Sequence, residues 1–365
     1  MNALVLFAGA GGADIGLRAA GFDHLACVEG DEKACATLRA AGFPAVHAWI
    51  GDGPQPERTV RGRVQPPLPV WRHGGKRVDL LWASPPCQPY SRAGARKGAD
   101  DARDGWPATL AAIREVRPRW VVIENVVGSP ASEWADTLRP LYPEVTVWRA
   151  DAVDWGLPSH RDRMYIVAGP RRWTPPAPTH YGPRVPWLLR AGRAPWVSFG
   201  EALGLTGAYF PFGTTSGFSS GESTDGPVTA MTTKGNQYII ESCRGRESGP
   251  QWEATSGDSP ATCIRTASGG GGIPAIRLIP GNGDNLPAPR SADQPAHAVA
   301  ASCPTYLDGG EVKRRRLTPE ECAILCGFPT GYPFQGGKSA AYRQIGNCVA
   351  PIMAEVIGRA ILEAA

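Results

Sequence analysis

A chain of 365 residues, 42% hydrophobic and 20% charged, is long enough for a large buried core and has the composition of a folded globular protein. Lys and Arg total 38 against 34 acidic residues, a net charge of +4, which permits a nucleic-acid partner without demanding one. With no apolar run near the roughly 18 residues of a spanning helix, no signal-peptide pattern in MNALVLFAGAGG, and nine cysteines without repeated spacing, membrane, secreted and disulfide-scaffold classes are set aside and a cytoplasmic location is expected.

The first 170 residues or so alternate apolar runs with helical patterns. ALVLF (3–7) predicts a buried strand, followed by glycine punctuation and a helix over Ala13–Ala20. HLACVE (24–29) and Glu32–Ala41 repeat the pair, and after a Pro- and Arg-rich interruption (53–77) VDLLWA (78–83) gives the next strand. A helix over Pro107–Val116 and the strands WVVIEN (120–125), EVTVW (144–148) and RMYIVAG (163–169) complete the series. This alternation predicts a doubly wound α/β sheet, whose functional residues gather at the carboxyl ends of its strands. Residues 173–312 change character. They are dense in Gly and Pro, with short β-like pieces such as QYIIES (237–242) and three loosely similar turn-plus-strand units beginning at Asp225, Gly257 and Ala292. An irregular, β-rich second domain is expected there. Helical order returns at LTPEECAILCG (317–327), started by Thr318 and Pro319, and at PIMAEVIGRAILEA (351–364).

FAGAGGADIGL (7–17) follows a strand and opens a helix, a setting in which Gly9, Gly11 and Gly12 allow a tight turn and close approach of a cofactor. Glu29, at the end of the next strand, stands where a carboxylate binds ribose hydroxyls. Asp14 takes the last Gly position of the dinucleotide fingerprint and is expected to repel a pyrophosphate. A phosphate-free adenosine cofactor such as S-adenosylmethionine therefore fits better than NAD. Read alone, the stretch also suits a turn that only packs strand on helix. In ASPPCQPYS (83–91), Pro85, Pro86 and Pro89 stiffen the chain around Cys87, as a nucleophile requires; an inert packed thiol is the alternative. Glu124 and Asn125 end a buried strand, where a carboxyl is costly unless it is partnered or catalytic, or caps the next helix. Arg161 and Arg163 alternate into a strand and so share one face, available to phosphate or carbonyl oxygens or left to solvent. Cys322 and Cys326, four apart on a helix, read as packed thiols, and no metal site is expected.

In order along the chain, FAGAGG (7–12), PPCQPYS (85–91), ENV (124–126), RDR (161–163), RRRLTPEECAILCGFP (314–329) and YRQIGNCVAP (342–351) resemble the DNA (cytosine-5)-methyltransferases, the bacterial and phage C5 family. The resemblance implies a Rossmann-like, S-adenosylmethionine-dependent methyltransferase sheet over residues 1–172, completed by 338–365. It places a smaller β-rich target-recognition domain at 173–337, with double-stranded DNA between the two. It implies that the Cys87 thiolate attacks C6 of a flipped cytosine, that Glu124 engages N3 and the exocyclic amine, that Asn125 orients the loop, and that Arg161 and Arg163 flank the base and its backbone. Phe7, Gly9, Ala10, Gly11, Gly12, Glu29, Pro86, Asn347 and Val349 correspond to the cofactor pocket, and Asp52 is the candidate contact to the adenine amine. C5 of cytosine is a poor nucleophile, so a bond at C6 must first make the ring an enamine, which then accepts the methyl group from a sulfonium; the base must leave the stack for this. A monomer is expected, without an obligate protein partner, in a restriction–modification, phage or orphan setting.

The chain departs from the family pattern at three places: Gly30 stands where a bulky residue usually separates Glu29 from Asp31, Ser159 replaces a usual Gln, and the last motif reads GNCVAP. Arg58, Arg61, Arg63, Arg72, Lys76 and Arg77 in the 53–77 insert either touch DNA phosphates or form a solvated loop. The competing readings are a catalytically idle DNA-binding relative, against which Cys87, Glu124, Arg161 and Arg163 stand together, an NAD-linked oxidoreductase, disfavoured by Asp14, and a relative acting on tRNA.

Overall fold

The computed structural model describes residues 1–50, 77–86, 104–182, 185–204 and 317–365, with the backbone of four short strands at 238–240, 279–280, 305–306 and 314–316. The first part of the chain runs β1 (Asn2–Leu6), α1 (Gly12–Ala20), β2 (Asp23–Glu29), α2 (Glu32–Ala40), β3 (Ala45–His47) and β4 (Leu80–Ala83). It continues through α3 (Trp106–Val116), β5 (Trp120–Val126), α4 (Ala131–Leu138), β6 (Glu144–Asp151) and β7 (Asp162–Gly169). The seven strands form one sheet in the order β3-β2-β1-β4-β5-β7-β6. β1 to β5 are mutually parallel, and β7 runs antiparallel to both of its neighbours.

The central strands carry near-continuous apolar runs, Ala3–Leu6, Leu80–Ala83 and Trp120–Ile123, because both faces are covered. Ala3, Val5, Leu80, Trp82, Trp120 and Val122 point to one side, where they meet Leu17 of α1 and Met353, Ile357 and Ile361 of the C-terminal helix. Leu4, Leu6, Leu81, Ala83, Val121 and Ile123 point to the other, against Ile113 of α3 and Trp134 and Leu138 of α4. The sheet thus has the two-faced α/β architecture read from the sequence. Its strand order reverses between β1 and β4, and in such sheets the crevice beyond that reversal is where ligands bind.

Four further helices follow: α5 (Phe199–Leu203), α6 (Pro319–Leu325), α7 (Lys338–Gly346) and α8 (Pro351–Ala364). α6 starts as its sequence predicts. Pro319 occupies its first turn, while Thr318 Oγ1 accepts from Glu321 N at 3.2 Å and Glu321 Oε2 accepts from Thr318 N at 2.8 Å. Phe199, Leu317, Cys322, Leu325, Phe328, Tyr342, Ile345 and Cys348 form a third apolar cluster that also takes in Ala10 of the glycine turn. Cys322 and Cys326 are buried, packed thiols, as read.

Element ends shift for identifiable reasons. β1 stops at Leu6 because Phe7 takes the left-handed region (φ 55°). β6 runs on to Asp151 because its antiparallel pairing with β7 continues to Asp162. β3, three residues long, carries too short a pattern to be read. α4, by contrast, had a legible one, with buried residues at 131, 134, 135 and 138. QYIIES contains a strand at Tyr238–Ile240, paired antiparallel with Arg314–Arg316. The three turn-plus-strand units lie outside the described residues.

Candidate active site

The glycine turn is fixed by backbone. Gly9 (φ 57°) and Gly11 (φ 92°) sit in the left-handed region that side chains disfavour, and Gly11 is the N-cap of α1. Gly12 is required for a different reason: a Cβ there would stand 2.1 Å from the Val349 carbonyl oxygen. The turn and the α7–α8 link are therefore in direct backbone contact. Tyr332 Oη donates to Ala10 O at 2.6 Å from the outer side. Ala10, Gly11 and Gly12 are buried, whereas Phe7 and Gly9 keep part of their surface, and nothing lies within 4 Å of where a Gly9 Cβ would be.

Glu29 closes the next strand end. Its Oε2 accepts from Gly9 N and its Oε1 from Asp31 N, each at 2.7 Å. Each oxygen keeps acceptor capacity beyond these bonds. Burial at the strand end outweighs the backbone amide donors and raises the Glu29 carboxyl above its ordinary value. Asp31 caps α2 through Lys33 N (2.9 Å) and Ala34 N (3.0 Å), and pairs with Arg343 at 3.2 Å. At Gly30, a Cβ would meet the Trp49 ring at 2.9 Å, so the space of the missing side chain is taken by an indole from just beyond β3. Trp49 was not singled out from the sequence. An aromatic residue shortly after a short β-like run was the available signal.

The second group of expected site residues lies across β4, β5 and β7. Asn125 Nδ2 donates to Pro85 O at 3.0 Å, and its Oδ1 accepts from Val126 N at 2.9 Å, which fastens the start of the proline loop to the end of β5. Phe7, Pro85 and Pro86 crowd around Gly105, whose Cβ would fall 2.8–3.2 Å from all three. Glu124, one residue past the Ala83–Ile123 pair, is 7% exposed, and its Oε1 lies 3.0 Å from Arg163 Nε. Cys87 and Asp52 lie outside the described residues, as do the insert residues Arg58, Arg61, Arg63, Arg72 and Lys76; Arg77 is exposed.

The arginine pair divides its work. Arg163 holds Glu124, while the buried Arg161 donates through both terminal nitrogens to Gly346 O (3.5 and 3.4 Å) and through one of them to Cys348 O, tying β7 to the α7–α8 link. Ser159, the short residue beside the pair, donates to Leu325 O at 2.6 Å. Asn347 is exposed at the end of α7, and Val349 is 6% exposed.

The surroundings of Asp14 overturn its reading as a charge at the glycine turn. Asp14 does not face the turn as a charge that would repel pyrophosphate. It is completely buried, with Oδ1 3.5 Å from His24 Nε2, and burial pushes its carboxyl up to about 7. The preference for a phosphate-free cofactor cannot rest on that residue.

A family model described as C-5 cytosine-specific DNA methylase matches residues 1–176 and 227–363. The Type II methyltransferase M.NaeI of Lentzea aerocolonigenes is 29% identical over 373 aligned positions, spanning 99% of this chain and 74% of the relative. M.NgoMIV of Neisseria gonorrhoeae is 25% identical, over 100% of this chain and 97% of its own length. Among solved structures, the S. pombe Dnmt2 methyltransferase superposes with a TM-score of 0.53 at 14% identity, covering 100% of this chain and 98% of that one, a likeness of fold.

Proposed function

The chain belongs to the C-5 cytosine-specific DNA methylase family, and from that membership we propose how its residues divide the reaction. The enzyme methylates cytosine at C5 in DNA with S-adenosylmethionine as donor, as its Type II methyltransferase relatives also indicate. The residues at the β1 and β2 ends suit that cofactor: open space above Gly9 and a half-buried Glu29 carboxylate with acceptor capacity to spare. Bound there, the cofactor supplies a methyl group activated by a sulfonium. Glu29 accepts from the ribose hydroxyls, Phe7 and Pro86 border the pocket, and Ala10, Gly11, Gly12, Asn347 and Val349 shape its wall. Trp49, filling the space at Gly30, offers the adenine an aromatic face.

Cys87 is the nucleophile. Its thiolate adds to C6 of a cytosine swung out of duplex DNA, and electron density moves onto N3 and C5, the atom to be methylated. Glu124, paired with Arg163, relieves charge at N3. Asn125 acts as a positioning residue for the loop, and Arg161 positions the α7–α8 link. Residues 173–337 carry target recognition, and the enzyme works as a monomer within a restriction–modification setting.

One observation carries this division: the Asn125–Pro85 bond couples the chain two residues ahead of Cys87 to the residue next to Glu124. DNA containing 5-fluorocytosine tests it, because a fluorine at C5 blocks the elimination that frees the thiol. Wild type is expected to form a denaturation-resistant adduct that Cys87→Ser does not form while still binding DNA and cofactor. An adduct in Cys87→Ser would remove Cys87 from the role. Bisulfite sequencing of DNA from expressing cells reads the target.

A further inference from the structure

We propose that Asp14, His24 and Cys27 form a binding site for a divalent cation of the zinc class between α1 and β2. The three side chains bring a carboxylate oxygen, an imidazole nitrogen and a thiol sulfur within 4.8 Å of one another. Asp14 is completely buried, the His24 side chain is 5% exposed and Cys27 is 0% exposed. Among the described residues, neither Asp14 oxygen accepts a hydrogen bond of ordinary geometry and His24 Nε2 has no hydrogen-bond partner. The Cys27 thiol beside the carboxylate is only a weak donor. A buried carboxylate in that condition is costly, and buried polar groups in native proteins are nearly always satisfied, by protein donors, water or an ion.

The donor set matches the cation. Zinc binds N, O and S ligands at about 2.0–2.3 Å, so neighbouring ligand atoms of a tetrahedral site stand roughly 3.3–3.8 Å apart. Asp14 Oδ1 and His24 Nε2 are already at 3.5 Å. If Asp14 binds through both oxygens, the three residues supply four donor atoms. Loading releases one proton from the Cys27 thiol and any proton on Asp14; carboxylate, thiolate, neutral imidazole and a divalent ion then sum to zero charge. The surroundings hold the ligands in place: the His24 ring packs edge-on against Phe43 with centroids 5.1 Å apart, and Cys27 and Leu17 share the core beneath α1. Arg18, the nearby cation, is drawn outward, stacked 3.6 Å over the Phe43 ring and donating to Gly42 O at 3.1 Å. Sequence spacing hides such a site, because its ligands come from one helix and one strand rather than from a repeated Cys/His pattern.

The test uses the full-length protein, stripped with a chelator and titrated with Co²⁺ and then Zn²⁺. The expected result is about one equivalent of Co²⁺ per chain with a thiolate-to-cobalt charge-transfer band, displaced by Zn²⁺, and a higher Tm on loading. Cys27→Ser is expected to abolish the band, and Asp14→Asn and His24→Gln each to weaken binding at least about tenfold. Folded, stripped wild type that takes up neither ion at micromolar concentration overturns the proposal, whatever the variants do. So does a band of undiminished strength in Cys27→Ser, which would assign the metal to other thiols.

Discussion

Around the glycine turn, the contacts that shape the crevice are made by backbone. Gly9 N and Asp31 N hold Glu29, the Val349 carbonyl fills the space beside Gly12, and Ala10 O is held by Tyr332. Across the crevice, at β5 and β7, the shape is held by side chains: Glu124 on Arg163, Asn125 on Pro85, and Arg161 on the carbonyls of 346 and 348. A backbone-built half tolerates almost no added atoms but little depends on the charge state of its walls. A half built from ionised and amide side chains tolerates volume changes better and is sensitive to the loss of a single polar atom, because each buried partner left behind is then unsatisfied. Substitutions on the two sides should therefore fail differently, one by folding and the other by chemistry.

The sharpest break is expected on the base side. Glu124→Gln keeps the shape and removes the carboxyl that faces Arg163; kcat should fall about 10³-fold, near the middle of the range for a lost acid–base group, with cofactor affinity unchanged by calorimetry. A loss of cofactor binding in parallel with kcat would show that Glu124 supports the fold rather than the reaction. On the cofactor side, Gly12→Ala places a methyl group against a carbonyl oxygen at 2.1 Å that cannot swing away, and a stability loss of about 3 kcal/mol in urea unfolding is expected. Next comes Asn125→Ala, which leaves Pro85 O without its donor. A loss of about 1–2 kcal/mol is expected there, appearing as a roughly tenfold drop in adduct formation with 5-fluorocytosine DNA and a smaller change in Tm.

How far the sequence reveals these two halves differs for a physical reason. The turn, the β2 end and the α6 cap are legible because their determinants lie within a few residues of one another: glycines at 9, 11 and 12, Asp31 at the start of α2, and Thr318 with Glu321. The division of labour between Arg161 and Arg163 is not legible, since alternation along a strand places both on one face and says nothing of partners 187 residues away, such as Cys348. The same holds for Ser159, whose partner Leu325 is 166 residues distant. Asp14 shows how a local rule fails. Its position relative to the glycines predicts a charge at the helix start, but the helix turns that side chain inward, onto His24 and Cys27. Gly30 reads as a missing side chain until Trp49 is seen occupying its space.

The smallest predicted effect lies within the backbone-built half and probes the Glu29 carboxyl. Burial raises the Glu29 carboxyl, so between its ordinary value and its raised one the folded protein binds a proton that the unfolded chain does not. Lowering pH through that window therefore adds to the stability of the cofactor-free fold. The ribose hydroxyls, as donors, favour the ionised carboxylate, so the same change in pH weakens cofactor binding, by at most about 1.4 kcal/mol or tenfold per pH unit. Fold stability and cofactor affinity should thus move in opposite directions over that same pH window, and Glu29→Gln should flatten both. Calorimetry in two buffers of different ionisation enthalpy measures the proton released on binding. Wild-type affinity as flat with pH as that of Glu29→Gln would detach the carboxylate from the ribose and leave it as a clamp on Gly9 and Asp31 alone.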